Sequence, residues 1–266
     1  MKVVVKIGSN ALTTHDGQLN KKIVANLAHE VSQLRKSTGH DFVLVTSGAV
    51  STGRSTISAR ALHGGKTAVK QTLAAIGQPL LMTSYAEAFG SCGIVCAQIL
   101  LTWNDFINAE RKLTLQEIVN LMLANGIVPV MNENDAISSE ELMNAFTDND
   151  QLAALVSILI KADKLVVLTD VDGFLDGSPN NSSSKVIPVI EKIDEYLDKI
   201  DDTASNGKGG MRSKLKTAKM VTEQGVSMYI ANGKRIGTLT GIIKGNSVGT
   251  LFPNQIARKV EMVSVL

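Results

Sequence analysis
Four short runs rich in β-branched residues punctuate this chain, VVVKI, FVLVT, IVPVM and KLVVLT. Each breaks into a polar or glycine-rich cluster: KIGSN, VTSGAVSTGR, VMNENDA and LTDVDG. Continuous apolar runs of this length suit strands buried on both faces of a parallel sheet. Helical stretches lie between them. Asn20 is placed to cap one in which Ile23, Val24, Leu27, Ala28, Val31 and Leu34 share a face and Gly39 offers the stop. Further helices are predicted around 66 to 90, from about 114, over Asp148 to Ala162 and along GMRSKLKTAKMVTEQG. Thr114 and Glu117 have capping-box spacing, and Gly126 ends that helix. IVCAQILL and GVSMYIANG read as additional strands, and the tail segments GTLF and ARKVEMVSV as short strands at an edge. The alternation predicts an α/β fold, an open, mainly parallel sheet sandwiched between helices.

At 266 residues, 44% of them hydrophobic, the chain suffices for one large α/β domain or two closely fused lobes. It contains no low-complexity linker and no repeat at a fixed period. No apolar run approaches the roughly 20 residues needed to span a bilayer, so no membrane partner is expected. The chain opens directly on a strand, without a signal-peptide pattern. A net charge of +2 with 4% aromatic residues supplies neither a basic field nor stacking platforms, which argues against nucleic acid. Cys92 and Cys96 flank or lie within the apolar stretch GIVCAQILL and are expected as buried, reduced thiols, in keeping with the cytoplasm. The four histidines, His15, His29, His40 and His63, lack ligand spacing, so no structural metal site is expected.

The chemistry-bearing residues collect where strands end. Lys6 interrupts the first apolar run. Either it snorkels into water, or its strand delivers an ammonium to the carboxyl edge of the sheet, where open α/β sheets bind ligands and where Gly8-Ser9-Asn10 lets a phosphate approach the backbone. Gly, Ser, Asn and Asp are also what ordinary turns are made of, but four such clusters at one sheet edge point to a crevice. Two decoys fail. ALHGGKT ends like a Walker A loop, yet Arg60 stands where its first glycine belongs and no apolar strand precedes it. Asp170, Asp172 and Asp176 suggest a calcium loop, but Gly173 falls too early and Phe174 occupies a ligand position.

In GKGGMRSKLKTAKM, glycines precede an apolar-periodic helix whose N–H groups would face an anion, with Lys214 one turn in; a solvated basic helix start is the alternative. In FTDNDQLAALVSILI, Asp148 and Asp150 straddle Asn149 at a helix N-terminus, as simple caps or as a carboxylate holding Lys6 and Lys214 together. Two lysines with a carboxylate suit phosphoryl transfer, where catalysis is mostly positioning and charge stabilisation, with Mg²⁺ on the phosphates. A unit charge about 4 Å away is worth roughly 4 kcal/mol at an effective dielectric near 20, or about a thousandfold in rate. An acceptor that is already an anion needs no general base.

The clusters KIGSN, VTSGAVSTGR, QILLT, VPVMNENDA, TDNDQLAAL, LTDVDG and GKGGMRSKL come in an order that resembles the amino acid kinase family over nearly the whole chain, and most closely its glutamate-phosphorylating branch. The resemblance implies a single domain over 1–266, with an amino-acid-binding lobe over about 1–160 and an ATP-binding lobe over about 161–266. It implies transfer of a phosphoryl group from ATP, with Mg²⁺, to the γ-carboxylate of L-glutamate, the opening step of proline biosynthesis. Lys6, Lys214 and Asp150 correspond to the catalytic residues. Ser47, Asp135, Asp148 and Asn149 correspond to substrate contacts, with the α-ammonium on Asp135 and the α-carboxylate on backbone or amide groups such as Asn149. Lys6, Gly8, Thr169, Asp170 and the loop Lys208, Gly209, Gly210, Met211, Arg212, Ser213 and Lys214 correspond to the nucleotide side. Thr147 replaces a glycine usual in the family, LDGSPN replaces a Tyr-Thr-x-Asp-Pro-like stretch, and the C-terminal RNA-binding-like domain of many relatives is not expected. A homodimer or homotetramer and feedback inhibition by proline are also implied.

Other readings remain at this stage. They are another branch of the family acting on acetylglutamate, aspartate or uridylate, a nucleotide or amino-acid sensor without catalysis, and a Rossmann oxidoreductase. The last is weakened because no G-x-G-x-x-G follows the first strand.

Overall fold
The computed structural model describes residues 1–14, 16–57, 62–138, 146, 148–177, 183–198 and 210–256. In chain order its strands are β1 (Lys2–Ile7), β2 (Asp41–Val45), β3 (Cys96–Leu101), β4 (Val128–Glu133), β5 (Lys164–Thr169), β6 (Ser227–Asn232) and β7 (Thr250–Phe252). The helices are α1 (Ser9–Leu12), α2 (Lys21–Thr38), α3 (Ala49–Thr56), α4 (Lys66–Ser91), α5 (Asn104–Ile107), α6 (Ala109–Ala124), α7 (Asn149–Leu159), α8 (Asp194–Leu197), α9 (Met211–Thr222) and α10 (Thr238–Ile243).

The strands form one sheet in the order β3-β4-β2-β1-β5-β6-β7, parallel throughout except for the antiparallel β6–β7 pair. Strand β1 lies at the centre, with β2 on one side and β5 on the other. The chain builds outwards from it in both directions, which makes the carboxyl end of β1 a topological switch point. Successive side chains of a strand face opposite sides. Val3, Val5 and Ile7 accordingly join one core with residues of α2, α4 and α10. Val4 joins the other core, with residues of α6, α7 and α9. Lys6 shares the face of Val4, so the period of the strand sends its ammonium towards α7 and α9.

Local chemistry explains most boundaries. The Asn20 side chain accepts the Ile23 N–H (3.4 Å), and Gly39 closes α2 in the left-handed region at φ 67°. Helix α6 corrects the expected start near 114. Asn108 accepts the Arg111 N–H at 3.0 Å and starts the helix at Ala109, while the Thr114 hydroxyl, inside it, donates to the Glu110 carbonyl. Strand β3 pairs only with β4, at the sheet edge, and is half exposed. Cys92 and Cys96 are therefore free but half-buried thiols, not buried ones, with Cys92 at the end of α4. GTLF forms the edge strand β7; ARKVEMVSV lies outside the described residues. The polar clusters after β1 and β2 are also more regular than loops, since each runs straight into a short helix, α1 or α3.

One close crossing fixes the wall of the crevice. A Cβ on Gly53 would stand 1.9 Å from the Leu73 carbonyl oxygen, and one on Gly77 would stand 1.9 Å from that of Ala49. Only glycine lets α3 and α4 approach so closely. The approach holds the start of α3 at Ala49 against Gly77 of α4, and Gly53 against Leu73.

Candidate active site
Three buried charged residues meet where β1, α7 and α9 converge. Asp150, in the first turn of α7, is fully buried. One of its carboxylate oxygens is 2.5 Å from Lys6 Nζ, and the other accepts a hydrogen bond from Lys214 Nζ at 3.1 Å. Both lysines are only 6% exposed. Burial alone would raise the Asp150 carboxyl, but the Lys6 and Lys214 ammonium groups beside it hold it below the usual carboxylate range. Two cations and one anion leave a net positive charge at this point. An anion in the crevice would neutralise it.

The N-terminus of α7 is built around this group. Asp148 caps the helix, its Oδ1 accepting the N–H groups of Asp150 and Gln151, each at 2.9 Å. Its other oxygen accepts from the Ser213 hydroxyl on α9. The cap thus also ties α7 to the helix carrying Lys214. The Asn149 amide nitrogen faces the Thr46 carbonyl (2.8 Å), Ser47 Oγ (2.8 Å) and Asn132 Oδ1 (3.0 Å), so its two hydrogens serve three acceptors within the protein. Asn132 is itself held by Gln78 of α4 at 2.8 Å.

Above the triad opens a cleft of about 280 Å³ at the carboxyl edge of the sheet. Lys6, Gly8, Ser47, Asp135, Asp148, Asn149, Thr169, Asp170 and Lys214 all line it. The residues expected for catalysis, substrate and nucleotide are therefore brought to one crevice. Asp150 sits beneath its floor. Gly48 turns the chain at φ 98°, which a side chain would resist, and so lets Ser47 and the start of α3 face the cleft. At the end of β5, Asn10 donates to Asp170 at 3.3 Å and the Thr169 hydroxyl donates to Asp170 at 3.1 Å. Gly210 stands at the N-cap of α9 and makes no side-chain cap of its own.

Some expected contacts are placed differently. Gly210, Met211, Arg212 and Ser213 do not line the cleft; Met211 packs against the core and Ser213 binds Asp148. Lys208, Gly209 and Thr147 lie outside the described residues. The cleft also contains Ser9, Asn10, Glu133 and Lys70, which no site assignment included. KIGSN and NENDA carried a signal for the first three. Lys70, in an unremarkable helical run, carried none.

A parallel sheet with a lysine-carboxylate-lysine group under a polar cleft at its switch point defines a phosphoryl-transfer scaffold, and the comparisons agree. Residues 1–232 match the amino acid kinase family. The chain belongs to that family. It is 40% identical over 255 residues to a glutamate 5-kinase of Caldanaerobacter subterraneus subsp. tengcongensis, covering 95% of this chain and 68% of that one. A glutamate 5-kinase of Alkaliphilus metalliredigens is 37% identical over 94% of this chain and 95% of its own. Among solved structures, an isopentenyl phosphate kinase matches with a TM-score of 0.65 and 15% identity over 95% of this chain and all of the other. UMP kinase from Bacillus anthracis matches with a TM-score of 0.65 and 18% identity, over 96% of each chain. These last two share the fold.

Proposed function
We propose that the protein transfers the γ-phosphoryl group of ATP to the γ-carboxylate of L-glutamate, giving γ-glutamyl phosphate and ADP. The observation that carries this reading is the buried Lys6–Asp150–Lys214 group opening on a cleft that Asp135 and Ser47 also line. A γ-carboxylate oxygen attacks the γ-phosphorus as the bond to the ADP oxygen breaks. Both partners are anions, so their approach is opposed by charge. Lys6 and Lys214 offset that repulsion along the path of transfer, and Asp150 keeps the two ammonium groups side by side. No group has to remove a proton from the acceptor.

Asp135 supplies the charge that would meet the α-ammonium of glutamate. Thr169, Asp170 and the start of α9 are the nucleotide side. Mg²⁺ would be carried on the triphosphate, and Asp170 is the cleft carboxylate that would help to hold it. Among the described residues no three acidic, histidine or cysteine side chains stand together as a preformed cage. The ion would neutralise phosphate charge.

The same reading places the enzyme in the cytoplasm, at the opening of proline biosynthesis, as a homodimer or homotetramer inhibited by proline. No described helix is long and apolar enough to cross a membrane. It also keeps two functional lobes, about 1–160 for the amino acid and about 161–266 for ATP.

The test is ADP release from Mg-ATP with hydroxylamine present, run in parallel with glutamate, aspartate, N-acetylglutamate and UMP. Glutamate-dependent hydroxamate is the expected result. Turnover only with another acceptor would move the function to a different branch of the family, and ATP binding without turnover on any of them would favour a sensor.

A further inference from the structure
An amino acid brings two charges to its site besides the reacting carboxylate. Asp135 answers the α-ammonium, but the triad supplies no group for the α-carboxylate. The Asn149 amide, the natural candidate from sequence, has its hydrogens directed at Thr46, Ser47 and Asn132 in this structure. A carboxylate arriving there would have to displace an internal network in which Asn132 is braced by Gln78.

Lys70 is better placed. It lines the same cleft as Ser47, Gly48, Glu133 and Asp135, and is carried by α4 rather than by the central strand that holds Lys6. Its Nζ is 3.9 Å from Asp135 Oδ1, the outer limit of an ion pair, and its side chain is 39% exposed. An ammonium and a carboxylate thus stand side by side in the cleft. The helix that carries Lys70 is held in place. The next residue, Gln71, donates to the Ser138 carbonyl at 3.2 Å, and the glycine crossing presses α4 onto α3.

We infer that Lys70 is the residue that binds the α-carboxylate of the acceptor amino acid. With Asp135 it forms a pair matched to a zwitterion, the two charges of the protein facing the two charges at Cα. The inference rests on the proposed glutamate kinase activity. In the empty cleft Lys70 and Asp135 face each other. With substrate bound, each faces the complementary group instead, and the charge of the cleft mouth stays balanced. Lys70 does not touch the reacting phosphorus. It selects which carboxylate stays behind while the other is delivered to Lys6 and Lys214.

The test compares parent, Lys70→Met and Lys70→Arg for the KM of glutamate and the inhibition constants of two analogues competing with it. Glutarate keeps both carboxylates and lacks the ammonium; 4-aminobutanoate lacks the α-carboxylate. In Lys70→Met, the KM for glutamate and the inhibition constant for glutarate are expected to rise about tenfold or more, the scale of a lost charge-assisted contact. The inhibition constant for 4-aminobutanoate should change by less than about twofold, and kcat should fall less than KM rises. Lys70→Arg should recover much of the glutamate affinity. Equal weakening of all three ligands, or of none, would overturn the assignment while leaving the glutamate kinase reading intact. A parent protein that consumes no ATP with glutamate would instead overturn that reading, and the role of Lys70 with it.

Discussion
Asp150 carries the account at the scale of single residues. Its folded carboxyl lies below the ordinary carboxylate range, because the two lysines outweigh the effect of burial. The stability it contributes is therefore complete above its unfolded value and is lost as pH falls through the lower folded one, in the region below about pH 4. Denaturant unfolding of the parent should show that acid loss. Asp150→Asn should lack this part of it and be less stable at neutral pH by about 3–5 kcal/mol, because two buried ammonium groups lose their shared counter-charge. A variant as stable as the parent would remove the carboxylate from the role of holding them. Lys214→Ala should lower kcat by about a thousandfold while KM for glutamate moves far less, since its charge is needed chiefly in the transition state; equal turnover would take Lys214 out of the mechanism. Lys6 was legible in sequence because a lysine inside an apolar strand breaks a strong pattern, and Asp150 because it belongs to a cluster of polar residues, Asp148-Asn149-Asp150, at a helix start. Lys70 breaks none. Its position over the cleft follows from a helix crossing that brings distant residues together, which no local spacing reports.

At the scale of elements, the α3–α4 crossing braces the part of the cleft lined by Ala49, Val50, Ser51 and Lys70. Gly77→Val would push a side chain into the Ala49 carbonyl, and overpacking of this kind costs about 1–3 kcal/mol. If the crossing positions Lys70, thermal unfolding of the variant should occur earlier and its KM for glutamate should rise with it. Unchanged KM in a destabilised variant would show that the wall yields without disturbing the site. Helices with a cap and an apolar face, such as α2, were readable residue by residue. The start of α6 was not, because Thr114-x-x-Glu117 has the spacing of a capping box while Asn108, six residues earlier, makes the actual cap. The short helices α1 and α3 were hidden for a related reason, since KIGSN and TSGAV have loop composition and become helical only where strand ends and glycine turns place them. The half-exposed edge position of β3 was equally out of reach, because strand order is a tertiary fact.

Across the whole molecule, both proposed lobes share one sheet, and β1 pairs with strands of each. We expect urea unfolding monitored by circular dichroism and by Trp103 fluorescence to give one coincident transition; two separated transitions would mean that the lobes fold as independent domains. The alternation of strands and helices made the sheet and its two helical layers legible, and the site followed because open parallel sheets bind ligands where their strand order diverges. The identity of the acceptor is a different kind of claim, resting on charge placement and kinship together. It is tested most directly with L-glutamate carrying ¹⁸O in both γ-carboxylate oxygens, incubated with Mg-ATP and hydroxylamine. Attack by that carboxylate puts one labelled oxygen in the bridge to phosphorus, and hydroxylamine then displaces phosphate at the carbonyl carbon. Inorganic phosphate with one ¹⁸O per γ-glutamyl hydroxamate is the predicted result. Phosphate released without label would contradict it, because the oxygen attacking phosphorus would then have come from somewhere other than the γ-carboxylate.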